Sequence, residues 1–172
     1  RLKKDSIEYV DCLRRAFNAL HTDSLQVAEQ FFSKALKLRP DAPGNSVVHH
    51  NLGRIHMARG NYRAAIEEFN HILKLVPEDK GVRYDRASAY LELGNANEAK
   101  KDCKALMALP LSKEEKEKAY FLRAAASMQQ RLYRAARTDL EDVVRLNPGN
   151  VNAHLLIAST YELDGQPQEA LN

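Results

Sequence analysis

The sequence has no tryptophan, two cysteines, seven glycines and six prolines in 172 residues. Two thiols cannot build the disulfide framework on which many small secreted domains rely, so packing must hold this chain together. The glycines are scattered singly, which leaves no glycine-rich loop to cradle a phosphate. No two histidines stand four apart, and neither HExxH nor CxxC occurs, so no zinc pattern is present. A nucleophile-elbow motif is also lacking. Mean hydropathy is −0.52, and no apolar run approaches the 18 residues expected of a membrane helix. An excess of one charge is missing too: 26 basic residues face 23 acidic ones, a net charge of +3. That balance argues against nucleic acid or an anionic membrane surface as a partner. No enzyme activity, cofactor or metal is expected.

What the chain does have is a period. The stretch from Leu52 to Pro77 reads as two short helices broken at Gly60-Asn61. Leu52, Ile55, His56 and Met57 fall at helical spacing, as do Ile66, Phe69, Ile72 and Leu73. Gly60 suits the left-handed residue that ends a helix, and Asn61 suits the N-cap of the next. Val76 before Pro77 is pushed out of the helical region. Each helix is too short to stand alone in water and must bury its apolar stripe against neighbours.

The pattern recurs along the whole chain. A small residue stands in the first helix at Ala16, Gly53, Ala87, Ala124 and Ala158, and an alanine twelve places on at Ala28, Ala65, Ala99, Ala136 and Ala170. Small side chains at both points let two helices cross closely. Glycine marks the turn at Gly60, Gly94 and Gly165, and proline closes units at Pro40, Pro77 and Pro148, with Pro110 one place early.

These residues, best represented by Leu52, Gly53, Gly60, Tyr62, Ala65, Phe69 and Pro77, resemble the tetratricopeptide repeat (TPR). The resemblance covers nearly all of the chain. Repeats fall at about 9–42, 46–79, 80–113, 117–150 and 151–172, the last truncated. It implies an all-α fold: one right-handed α-solenoid of stacked antiparallel helix pairs spanning 1–172. Because the chain starts at Arg1 and stops within the expected second helix of the fifth repeat, it reads as part of a longer chain. Its compartment is left open.

The resemblance also implies a function: a protein–protein interaction module, a scaffold or adaptor that holds a peptide or protein segment in the concave groove lined by the first helices. Repeat places 2, 5, 6, 9, 12 and 13 face inward there. The residues expected to make contact are His50, Asn51, Arg54, Tyr84, Asp85, Ser88 and Phe121. Asn51 offers amide donors and an acceptor to a peptide backbone. Arg54 suits a carboxylate, and Tyr84 and Phe121 offer flat apolar anchors. Neighbouring groove places hold Leu13, Arg14, Phe17 and His21 in the first repeat, and Lys118, Leu122 and Gln129 in the fourth. The two-carboxylate clamp that co-chaperone members close on chaperone tails is not expected. Its five places carry His50, Arg54, Asp85, Lys118 and Leu122, of which only Lys118 matches. The alternatives are a self-associating scaffold, capped through an apolar end at Leu155, Ile157, Leu163 and Leu171, and, less favoured, an RNA-reading helical repeat.

Further expectations concern local structure. Cys12 and Cys103 lie two units apart, beyond disulfide reach, and read as small buried hydrophobes. His49, His56 and His154 occupy bulky repeat places and read as packing residues. Asp5 and Glu8 resemble a capping box, as do Ser112 and Glu115. The period alternates 37, 34, 37, 34. The extra residues fall at 41–45, a turn cluster, and at 111–116, where a first helix gains about a turn. Arg131 replaces the usual turn glycine, which predicts a different turn there.

Overall fold

In the computed structural model, residues 2–165 are described. Among them the chain forms nine α-helices and no strand. They are α1 (Leu2–His21), α2 (Leu25–Leu38), α3 (Asn45–Ala58), α4 (Tyr62–Leu75), α5 (Lys80–Glu92), α6 (Ala96–Met107), α7 (Lys113–Gln129), α8 (Tyr133–Leu146) and α9 (Val151–Leu163). They gather into two compact units, Arg1–Pro77 and Glu78–Asn172, divided after the second helix pair. In the first unit α1 packs on α2, α2 on α3 and α3 on α4. In the second, each of α5 to α9 packs on the next, and α5 also meets α7.

One left-handed residue follows the first helix of each repeat. These are Asp23, Gly60, Gly94, Arg131 and Gly165, with φ between 56° and 76°. Their spacing repeats the 37, 34, 37, 34 period. The turn at Arg131 is therefore not different, as the missing glycine had suggested. Arg131 takes φ 59° despite its Cβ, and Asp23 does the same at 56°.

The two three-residue excesses are absorbed differently. The first lengthens the connection between α2 and α3, which is pinned by Asn45. The Asn45 amide donates to the Arg39 and Pro40 carbonyls at 2.7 and 2.9 Å, and its Oδ1 accepts from the Tyr9 hydroxyl at 2.9 Å. The second excess lengthens α7 to 17 residues, against 13 in α5. Ser112 and Glu115 form the expected capping box at its start. Asp5 and Glu8 do not, because α1 already runs from Leu2 and both lie inside it. Asp5 there faces the positive end of the helix dipole instead.

The core follows the small-residue register. Ala16, Ala28, Ala65, Ala87, Ala99, Ala124 and Ala136 are fully buried. Gly53 shows why the place must be small: a Cβ added there would lie 2.3 Å from the Phe69 ring. Ala170 lies outside the described residues. Both cysteines are free and buried, and burial pushes the Cys103 thiol up to about 12.

Candidate functional site

The first helices of each unit carry the candidate contact residues, and the two units are taken in turn. In residues 1–77 the relevant helices are α1 and α3. The Tyr9 hydroxyl, two turns into α1, donates to Asn45, the first residue of α3. Just past that bond stand Val10, 62% exposed, and Val47, 54% exposed, with Ile7 one turn before Val10 at 64%. These aliphatic side chains stand open to water on well-formed helices. Arg54 lies on the same helix as Val47 and seven residues on, exposed and without an ion pair among the described residues. His50 and Asn51 are half-buried between them. One Asn51 donor is spent on the Val47 carbonyl of its own helix, at 2.8 Å, leaving one N–H and the amide oxygen. Phe17 belongs to the core, its ring edge-on to Phe32 at 5.2 Å between centroids.

Val10 and Val47 were not among the residues expected to make contact, although both hold repeat place 2. The signal was available in the register, but a lone valine on a helix reads as core until its exposure is seen.

In residues 78–172 the corresponding helices are α5, α7 and α9. Tyr84 is not an open anchor here. It is only 4% exposed and packs with Leu106 and Ala119, and its hydroxyl donates to the Glu115 carbonyl at 2.7 Å. Burial, with the Glu115 charge adding to it, raises its hydroxyl to about 12. The extra turn of α7 supplies that carbonyl, so the insertion closes over the tyrosine. Asp85 and Ser88 remain half-buried on α5. Gln129 is engaged with the Leu91 carbonyl at 2.7 Å.

Phe121 keeps one side open. Its inner side packs on the cluster of Ala124, Leu140, Val143 and Ala153. Its outer side, with Leu122, forms the floor of an open cavity of about 460 Å³ whose walls include Glu114, Glu117, Lys118 and Asn152. Glu117 is fixed by two amides, from Asn147 at 3.0 Å and Asn150 at 2.9 Å. Those hydrogen bonds hold its carboxyl below the usual carboxylate range. The Lys118 ammonium sits 4.8 Å over the Tyr84 ring.

The histidines divide. His49 is half-buried, with Nδ1 2.6 Å from Glu68 and its ring stacked on His71 at 4.4 Å. His56 is half-buried near Glu29. His154 is exposed rather than packed, with Nε2 at 2.8 Å from the Pro148 carbonyl, because α9 turns that place to solvent. No cluster of metal-ligating side chains forms among the described residues, and no described helix is long and apolar enough to cross a membrane. At the apolar end, Leu155 and Leu163 are 61% and 57% exposed, while Ile157 packs on the α8 cluster. Leu171 lies outside the described residues.

Family models described as tetratricopeptide repeat match residues 56–109 and 121–171. The chain belongs to the tetratricopeptide repeat family. The TPR fold extends over almost all of it. A tetratricopeptide repeat protein from Parabacteroides merdae, 24% identical, superposes with a TM-score of 0.80 over 96% of this chain and 64% of that one. The first TPR of Spaghetti (RPAP3), solved bound to the HSP90 peptide SRMEEVD, is 27% identical with a TM-score of 0.63, covering 70% of this chain and 93% of that one. Among curated proteins, human sperm-associated antigen 1 is 30% identical over 103 residues, which is 60% of this chain and 11% of that protein. The chain spans a fifth or less of the length of the curated relatives it matches.

Proposed function

We propose that this TPR segment binds a peptide or protein segment on the exposed face of its first helices and serves as a scaffold or adaptor. One observation carries the reading. The first helices leave aliphatic and aromatic side chains in water beside polar groups with spare hydrogen-bonding capacity, as at Val10, Val47 and Arg54. Open apolar side chains flanked by such groups are the chemistry of an interaction surface. The peptide held by the Spaghetti (RPAP3) repeats gives a precedent for the ligand class in a relative.

The test is capture. Wild-type protein and the Arg54→Glu, Val47→Ser double variant are used as bait in native lysate, beside a control changed on a second helix, Lys74→Glu. Proteins retained by the wild type and the control should be lost from the double variant, with its melting temperature unchanged. Equal recovery on all three baits overturns the first-helix reading. Tyr84 is unsuited to such a test, because its removal would empty core volume.

A further inference from the structure

The cavity over Phe121 in residues 78–172 has a chemistry narrower than that of a general peptide groove. Its floor is apolar, from Phe121 and Leu122, and its walls carry the two carboxylates of Glu114 and Glu117. The one cation in the wall, Lys118, is drawn aside over the Tyr84 ring at 4.8 Å. Among the lining side chains the two carboxylates outnumber this one ammonium, so the charge of the lining is net negative. Glu117 cannot swing away, since the Asn147 and Asn150 amides hold one of its oxygens, and that leaves the other facing a ligand with its charge kept by those bonds. Glu114 has no partner among the described residues. Asn152 adds an exposed amide at the rim.

An apolar floor with anionic walls fits one kind of side chain: a long aliphatic stem that ends in a cation. A stem of three or four methylenes can lie along Phe121 and Leu122 while its charged head reaches the carboxylates. A guanidinium over the ring gains a cation–π contribution as well. Outside the lining, the exposed Lys113 acts on Glu117 from one turn back on α7, so a ligand's cation would share that carboxylate with it.

We infer that this cavity receives a lysine or arginine side chain, flanked by apolar residues, from the partner segment. The inference rests on the first-helix reading above and names the ligand chemistry of one of its two faces.

Three labelled pentapeptides of alternating sequence test it against the full chain by fluorescence anisotropy. Leucine alternates with arginine, glutamine or glutamate. The arginine peptide should bind about fivefold more tightly than the glutamine one, the upper range for a partly exposed ion pair. It should also shift the amide resonances of residues 114–122. Glu114→Lys should erase the preference and keep the fold, because Ser112 and Glu115 still cap the start of α7. Phe121→Ala should weaken the arginine and glutamine peptides alike. Tighter or equal binding of the glutamate peptide overturns the basic-ligand inference and leaves the first-helix reading standing. Binding of no peptide, or an arginine preference that survives Glu114→Lys, also overturns the inference. Failure of the first-helix reading is read separately, from the Arg54 and Val47 variant in the other unit.

Discussion

In residues 1–77 one repeat place on the second helices holds Phe31 and then Glu68; in residues 78–172 the same place holds Asp102 and Asp139. The next place holds Phe32 and Phe69 in the first unit, both fully buried, and Cys103 and Leu140 in the second. The first unit thus joins its helices through large aromatic rings. Phe31 is covered by the Arg15 guanidinium at 5.6 Å, and Glu68, with 18% of its side chain exposed, meets the half-buried His49. At the place of Phe32 and Phe69 the second unit has smaller apolar side chains and buries charge beside them. Asp102, 2% exposed, receives Arg86 at 2.6 and 3.0 Å and Arg83 at 3.1 Å. Asp139, 7% exposed, receives Arg123 at 2.7 and 2.8 Å.

The difference teaches how one fold tolerates two kinds of core. A buried carboxylate is costly unless permanent cations meet it with good geometry, and a two-pronged guanidinium does so. The aspartates sit deeper than Glu68, and the helix opposite them carries arginine where the one opposite Glu68 carries His49. Asp102 accordingly holds Arg86 more firmly in its charged form. The packing of the first unit needs no such pairing but demands shape, as the missing Cβ of Gly53 against Phe69 makes plain.

The largest expected effect separates the two cores at their charges. Asp102→Ala removes the buried carboxylate that Arg83 and Arg86 share and should cost about 3–5 kcal/mol in urea unfolding. Glu68→Ala, at the same place in the first unit, should cost no more than about 1.5 kcal/mol, the value of an ordinary hydrogen bond. Equal losses would break the comparison. Next, Gly53→Ala should destabilise by about 1–3 kcal/mol through overpacking against Phe69, read from the thermal midpoint. A neutral result would mean that the aromatic core is loosely filled. The smallest effect concerns the turns. Arg131→Gly relieves a left-handed residue with a long side chain and should stabilise by about 1 kcal/mol. Asp23→Gly should gain less, since aspartate tolerates that conformation better. A larger gain at Asp23, measured by the same urea titration, would reverse the ranking of the two turns.

Much of this was legible in the residues. The alanines at 16, 28, 65, 87, 99, 124 and 136 announce close helix crossings, because only small side chains allow them. Ser112 with Glu115 announces a helix start, because the two groups satisfy each other's backbone donors. Asp5 with Glu8 has the same spacing and fails, since spacing cannot say where a helix has already begun. Arg131 departs from the glycine pattern yet makes the same turn, because sequence gives a residue's preference for a turn, not the force its neighbours apply. Two connected helices with the same crossing impose the left-handed turn on arginine and glycine alike.

By itself the sequence determined the family, the all-α helix pairing among the described residues and the 37, 34, 37, 34 alternation. These follow from periodicity, a property each segment carries locally. Only the tertiary structure decided depth. It sank Tyr84 under the added turn of α7, raised Val10 and Val47 into solvent, made one insertion a loop stapled by Asn45 and the other a longer helix, and set Glu117 and Phe121 around one cavity. Register fixes the direction of a side chain; how far it is buried depends on the bulk and bonding of neighbours some 15 to 40 residues away, which no local pattern encodes.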